Sequence, residues 1–368
     1  MRPIRSLALL IISLSATLGV LAPTPALAQH GAAATEAKLP PQLARFSALL
    51  GDWEGSGTVQ MPGMPVAQEW TSVLSTKPVM GNQFIQSEMR IDMKGSNPVS
   101  MIYRAYYGWD PKREKLVSFS VGNSGEIEVA EEVVWLDDHT LVVEGVHTEA
   151  GVPSLQRSIN RYTADTYTFT WEIAHGATPM TVRATGSYTR ADTEFSISAG
   201  QWANAMVPGA PAPPQMKKVA GMVGDYTMTG EATMVPGMPA MEISGRETIE
   251  SLFGGSVLKM EVIGDPIPGA GEFRYHAIGF IGYVARDKVF RQFYISNMGE
   301  IGTEDLYFVD DHTMVHTSTA IENGKPVVTR STVYLDEKGG LVRSTSDQLR
   351  GASSLERVFT GEFVKQPD

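Results

Sequence analysis

The chain contains two copies of one pattern. Pro40-Pro41-Gln42, an apolar stretch and Gly51-Asp52-Trp53 are matched downstream by Pro213-Pro214-Gln215 and, at the same spacing, Gly224-Asp225-Tyr226. Pro62-Gly63-Met64-Pro65 recurs as Pro236-Gly237-Met238-Pro239, and Asn123-x-Gly125-Glu126-Ile127 as Asn297-x-Gly299-Glu300-Ile301. Asp137-Asp138-His139-Thr140 recurs as Asp310-Asp311-His312-Thr313, Arg157-Ser158 as Arg330-Ser331, and Gly186-Ser187-Tyr188 as Gly361-Glu362-Phe363. The offset stays between 173 and 175 residues throughout, a register that chance does not keep. A repeat this long is a whole domain rather than one turn of a solenoid. A chain of 368 residues also exceeds one core of about 150. The Pro- and Ala-rich stretch 206–214 reads as a semi-rigid spacer between domains at 39–205 and 215–368.

Residues 1–28 read as an export signal. Arg2 and Arg5 precede an apolar run, and Ala26-Leu27-Ala28 supplies small residues for cleavage before Gln29. The run is too short, and too interrupted by Ser13, Ser15, Pro23 and Pro25, for a membrane anchor. Residues 29–38 form an Ala-rich leader without a counterpart in the second copy. The expectation is an exported protein, periplasmic in a Gram-negative host, with no transmembrane segment after cleavage. The chain has no Cys, which excludes disulfides, thiolate metal sites and thiol nucleophiles. Formal net charge is −11, and loss of Arg2 and Arg5 with the signal makes it more negative by two. Such a surface repels phosphate backbones, so nucleic acid is not an expected partner.

Within each copy the pattern is that of strands. Residues 166–171 alternate as T-Y-T-F-T-W and 116–121 as L-V-S-F-S-V, while 140–146 are β-branched and apolar. Turns rich in Gly, Asp and Asn separate them. The only segments with helical spacing are 43–50 and 216–223, just before each Gly-Asp-aromatic. Eight or more strands per copy without a long helix predict an all-β protein of two antiparallel barrels, each wide enough to enclose a ligand.

The order short helix, Gly-x-Trp, antiparallel strands resembles the calycin group, which includes lipocalins and fatty-acid-binding proteins. Gly51-Asp52-Trp53-x-Gly55, the PGMP loop, Met80-Gly81, Gly108-Trp109-Asp110 and the Asn-x-Gly-Glu segment resemble more closely the bacterial family called domain of unknown function 1579. The second copy carries Gly224-Asp225-Tyr226, Phe253-Gly254-Gly255 and Gly282-Tyr283 at matching places. The resemblance implies a fold and no activity. Tyr226 for Trp, and Val284 for the Asp after the Gly-aromatic pair, suggest a different closure at the base of the second barrel.

Trp53 and Tyr226 are expected to plug the closed ends. Met61 and Met64, with their partners Met234 and Met238, read as adaptable apolar lips, with a Cu(I) thioether site as the sharper alternative. Tyr103, Phe119, Tyr275 and Phe293 are the candidate apolar lining. Asn123 and Glu126, with Asn297 and Glu300, read either as turn residues or as polar groups at the barrel mouth. Arg157 and Arg330 read either as surface cross-strand partners or as interior forks for a ligand carboxylate. The Asp-Asp-His-Thr motifs fit hairpin turns, with a carboxylate-rich cation site as rival. His175 or His276 would be the axial ligand of a haem barrel. No metal or cofactor is required by any motif, and no nucleophile elbow, HExxH, phosphate loop or dinucleotide fingerprint occurs. The favoured reading is a module binding a hydrophobic small molecule or lipid. A scaffold with filled barrels comes next and an enzyme third. Neither ligand identity nor oligomeric state follows from the sequence.

Overall fold

A computed structural model describes residues 39–367 apart from 61–65, 96–97, 112, 124, 126, 150–151, 206, 208–210, 234–238, 267–271, 286, 323–324 and 351–353. The signal and leader, the four PGMP methionines and Glu126 lie outside the described residues. The chain divides into two compact units at Ala212/Pro213, within the spacer. The first unit is a closed barrel of ten antiparallel strands: β1 (Gly51–Val59), β2 (Gln68–Val79), β3 (Phe84–Met93), β4 (Val99–Asp110), β5 (Lys115–Gly122), β6 (Ile127–Trp135), β7 (Thr140–Glu149), β8 (Val152–Tyr162), β9 (Thr166–His175) and β10 (Thr181–Arg190). The second repeats it with β11 (Gly224–Ala232), β12 (Met241–Leu252), β13 (Val257–Gly264), β14 (His276–Val284), β15 (Val289–Ser296), β16 (Ile301–Phe308), β17 (Thr313–Glu322), β18 (Lys325–Leu335), β19 (Leu341–Arg350) and β20 (Glu356–Lys365). Among the described residues no helix is long and apolar enough to cross a membrane.

Each barrel closes where its first and last strands meet, and the sequence places glycine on both sides of that seam. Gly57 faces Gly186, and Gly230 faces Gly361. A Cβ on Gly57 would stand 2.0 Å from the Thr185 carbonyl oxygen, and one on Gly230 2.1 Å from that of Thr360. Main-chain atoms cannot yield as a side-chain tip does, so only glycine fits. On the first-barrel seam the space goes to aromatic rings: the Trp70 ring lies against both Gly57 and Gly186, and the Tyr188 ring against Gly55.

The base of each barrel is plugged by the aromatic that the sequence predicts, and the segment of helical spacing before it is a 3-10 turn rather than an α-helix. In the first copy Ala44–Leu49 buries Phe46 and Leu49, and Trp53, fully buried, donates Nε1 to the Leu49 carbonyl at 2.9 Å. In the second, Pro214–Lys218 and Ala220–Met222 bury Met216 and Met222, and Tyr226 donates its hydroxyl to the Met222 carbonyl at 2.8 Å. A last-strand cation lies over each ring, Arg190 on Trp53 and Lys365 on Tyr226. Between Trp53 and Tyr226 the expected difference in closure is therefore not found, because the phenol reaches the same kind of carbonyl, four residues back, that the indole does; at the other departure Asp110 accepts the Arg113 amide and pairs with its guanidinium, which Val284 cannot do.

The Asp-Asp-His-Thr hairpins behave alike too. Asp137 accepts the His139 amide at 2.7 Å and Asp310 that of His312 at 2.8 Å, while Asp138 pairs with Arg45 and Asp311 with Lys218 on the 3-10 turns. One helix goes unforeseen by the 3.6-residue period: α1 (Ala199–Asn204), started by a capping box between Ser198 and Gln201. Its Trp202 lies 4.3 Å over the Arg104 guanidinium, which is ion-paired to Glu88 on the outer face of β3 and β4.

Replacing Trp53 with Ala removes a fully buried indole and its hydrogen bond, so the first barrel should lose about 3–5 kcal/mol and the second almost nothing. Hydrogen exchange resolved by barrel checks this: uniform loss of protection in both copies, or a first-barrel loss below about 1 kcal/mol, would contradict the plug.

Candidate functional site

Because side chains alternate along a strand, the pairing register assigns every residue to the inside or the outside of its barrel. Starting from Trp53 inside, the register carries the inner face through Leu74, Met89, Tyr103 and Gly122. Tyr103 therefore faces inward as expected, its ring lying across Gly122. Tyr275 is buried one residue before β14, and its phenol is pushed well above its ordinary pKa by burial and by the nearby Glu300 carboxylate.

Other candidates fall elsewhere. Phe119 pairs with Tyr106 and Phe293 with Phe280 on the outer faces, so neither lines an interior. Arg157 and Arg330 also turn outward. Arg157 meets Glu172 at 2.7 Å and Glu144 at 3.8 Å, the surface cross-strand alternative, and Arg330 is exposed. Asn123 accepts the Ile102 amide and donates to the Ser100 carbonyl; Asn297 does the same with His276 and Arg274. Both asparagines thus extend the β-ladder past a turn whose glycine, Gly125 or Gly299, has positive φ. Glu300 accepts the Ser296 hydroxyl at 2.8 Å. Of the haem candidates, His276 is on the outer face, 2.9 Å from Glu261, whereas His175 stands on the inner face of β9 with Nδ1 2.7 Å from Ser154 Oγ. No group of three His, Cys, Asp or Glu among the described residues could hold a metal ion.

The interior of the first barrel is an aromatic wall. One register row runs Tyr162, Tyr167, Tyr188, with successive rings stacked at 4.8 and 4.9 Å. Trp70, Phe169 and Trp171 continue it. Burial pushes the Tyr107 phenol up to about 12 and those of Tyr162 and Tyr167 well beyond the ordinary range, which places them deep in the barrel. Even so, Met89, Met101, Tyr103, Tyr107, Tyr167, Phe169 and Trp171 all face inward and all retain accessible surface. Deep, inward and accessible together describe a wall with space in front of it.

The second barrel keeps the register and changes the residues. Where the first has Leu74, Ser118, Ala130 and Val143, the second has Glu247, Gln292, Glu304 and His316; where the first has Phe169, Trp171 and Ile173, the second has Ser344, Ser346 and Gln348. These polar residues are almost wholly buried. Glu304 Oε2 lies 2.8 Å from His316 Nδ1, close enough for an ion pair but off the line of a hydrogen bond. Glu247 Oε1, Gln292 Oε1, Glu304 Oε2, Thr329 Oγ1 and both His316 nitrogens have no hydrogen-bond partner among the described residues. Burial alone pushes the Glu247 carboxyl up to about 8. Motif reading overlooks this group because none of its members is repeated. The signal was the contrast between copies, polar residues standing where the first copy has apolar or smaller ones.

Two closed ten-stranded barrels in tandem, each plugged by a 3-10 turn and an aromatic, define the class of protein. The family described as protein of unknown function (DUF1579) matches residues 41–190 and 213–329, and the chain belongs to it. None of the curated proteins matches the chain. Among solved structures, Rv2717c from M. tuberculosis is 17% identical at a TM-score of 0.32, the match covering 42% of this chain and 99% of that one. The S-type phycobiliprotein lyase CPES from Guillardia theta is 10% identical at 0.29, covering 40% and 92%. A protein of unknown function from the DUF3598 family of Nostoc punctiforme PCC 73102 is 12% identical at 0.26, covering 89% and 100%.

The Glu247 carboxyl gives a pH dependence of known sign. Its native pKa is raised from 4.5 to about 8, so its stabilising contribution is complete below pH 4.5 and is lost as pH rises through about 8. Between those values stability of the second barrel should fall by up to about 1.4 kcal/mol per pH unit. Urea midpoints measured across that range should show the slope, and Glu247→Gln should flatten it.

Proposed function

We propose that this protein is an exported small-molecule binder whose first barrel holds a flat, largely apolar ligand, periplasmic where the host has an outer membrane. The observation that carries the reading is the accessible inner wall of aromatic and methionine side chains in the first barrel. Apolar surface left in contact with water inside a fold costs about 25 cal/mol per Å², which a ligand recovers by covering it. Stacked tyrosines and a tryptophan favour a planar partner, because rings meet a flat π-system face to face or in offset geometry. On this face Trp135 Nε1 is buried without a hydrogen-bond partner among the described residues, so a hydroxyl or carbonyl oxygen on the ligand would suit it.

The test uses N-phenyl-1-naphthylamine, a flat apolar dye that fluoresces when it leaves water. The full chain should take it up, and Trp171→Ala should weaken uptake about tenfold, or about 1.4 kcal/mol, with little change in melting temperature. Trp171→Phe should restore part of the loss. A wild-type protein that leaves the dye dark would overturn the reading.

A further inference from the structure

The second barrel carries a different ligand chemistry. Its inner face brings together Gln292 on β15, Glu304 on β16, His316 on β17 and Thr329 on β18, from four consecutive strands. Gln292 and Glu304 are direct register partners, and Glu304 Oε2 lies 2.8 Å from His316 Nδ1. Gln292, His316 and Thr329 are each only 1% exposed, and the atoms named above have no hydrogen-bond partner among the described residues. A buried polar atom left unmatched costs about 1–3 kcal/mol, so a group of them in one place asks for a partner.

The balance of these atoms sets the partner's chemistry. The amide oxygen of Gln292 can only accept, an ionised Glu304 can only accept, and Thr329 can do either. The arginines that might have neutralised Glu304 turn away: Arg291 pairs with Asp305 and Asp287 outside, and Arg330 is exposed. Arg350, on the inner face at the end of β19, donates to Gln348. The sequence-based expectation of an interior fork at Arg330 is thus not met, and the inward atoms left without a hydrogen-bond partner on β15 to β18, among the described residues, are an amide oxygen, a carboxylate oxygen, a hydroxyl and the two imidazole nitrogens. Small side chains lie beside them, Ser331 and Ser346 in the His316 row and Gly302 two residues before Glu304. Glu304 keeps 8% exposure and Ser318, two residues from His316 on the same face, is partly exposed, so the acceptor group opens on that side.

We infer that the interior of the second barrel binds a small primary amine, its ammonium group held by the Glu304 carboxylate and the Gln292 side-chain carbonyl, with Thr329 as a further acceptor and His316 positioning Glu304. Three N–H donors on one small head match three acceptors drawn from separate strands, and the positive charge meets a carboxylate that, among the described residues, is paired with the His316 ring.

The experiment compares n-butylamine, protonated at pH 7, with n-butanol and butyrate on the full chain, following the His316 ring resonances by NMR and the melting temperature. Butylamine should shift the His316 signals saturably and raise the melting temperature, with at least tenfold weaker effects from butanol and butyrate. Glu304→Gln, which keeps size and removes charge, should weaken the butylamine response at least tenfold. Equal responses to butylamine and butanol would overturn the inference in favour of a simple apolar space, and so would a response to butyrate alone or no response to any of the three. The wild-type comparison decides the matter even if the variant folds poorly. Uptake of N-phenyl-1-naphthylamine by the first barrel is read in parallel, so failure of one site is distinguished from failure of the other.

Discussion

Everything in each barrel depends on the seam where the first strand meets the last. Ten strands close only if those two approach along their full length, and at Gly57/Gly186 and Gly230/Gly361 they approach so closely that a Cβ would strike main-chain oxygen. Closure then removes the free edges that an open sheet would expose. It also locks the register, and the register decides which residue of every strand sees the interior. In the first barrel the space left at the seam is filled by the rings of Trp70 and Tyr188, so the aromatic wall reaches the seam itself.

That dependence explains what could and could not be read from the residues. The repeat, the strand-rich pattern, the plug aromatics and the Asp-Asp-His-Thr and Asn-x-Gly turns are local, and local chemistry predicts them. Which side of a strand faces inward is not local. It is set by pairing and shifted by bulges, such as those between Leu116 and Ser118 and between Val182 and Ala184. Phe119 shows the difficulty well. Val117, Phe119 and Val121 form the more apolar face of β5, yet Leu116, Ser118 and Ser120 point inward. Both faces of that strand are largely buried, and where that holds apolarity no longer reports which side is the core. Arg157 shows why both alternatives stood open, because one residue of register separates an interior fork from the surface ion pair that it forms.

The two barrels show how far the inside can change when the frame does not. Seam glycines, base plugs with their hydrogen bonds four residues back, turn caps and the Asp-to-cation tethers are all kept. Inside, Phe169 and Trp171 give way to Ser344 and Ser346, while Glu, Gln and His replace Ala, Ser and Val. A frame stabilised by main-chain pairing and end plugs tolerates this, since neither depends on the identity of mid-barrel side chains. The polar interior does carry a cost, visible in the raised Glu247 carboxyl and in the unmatched buried atoms.

The seam also makes each barrel a circuit whose two ends are neighbours. Trp53, at the beginning of β1, sits opposite Arg190 at the end of β10, and Tyr226 opposite Lys365 in the second copy. The chain therefore enters and leaves each barrel at one point on its base. A unit built this way can be duplicated head to tail with only a short connector, and could be rejoined through its native ends and reopened at another hairpin without crossing the sheet. Tandem arrangement is thus the cheapest rearrangement open to such a barrel, and it leaves each copy's interior free to follow its own chemistry.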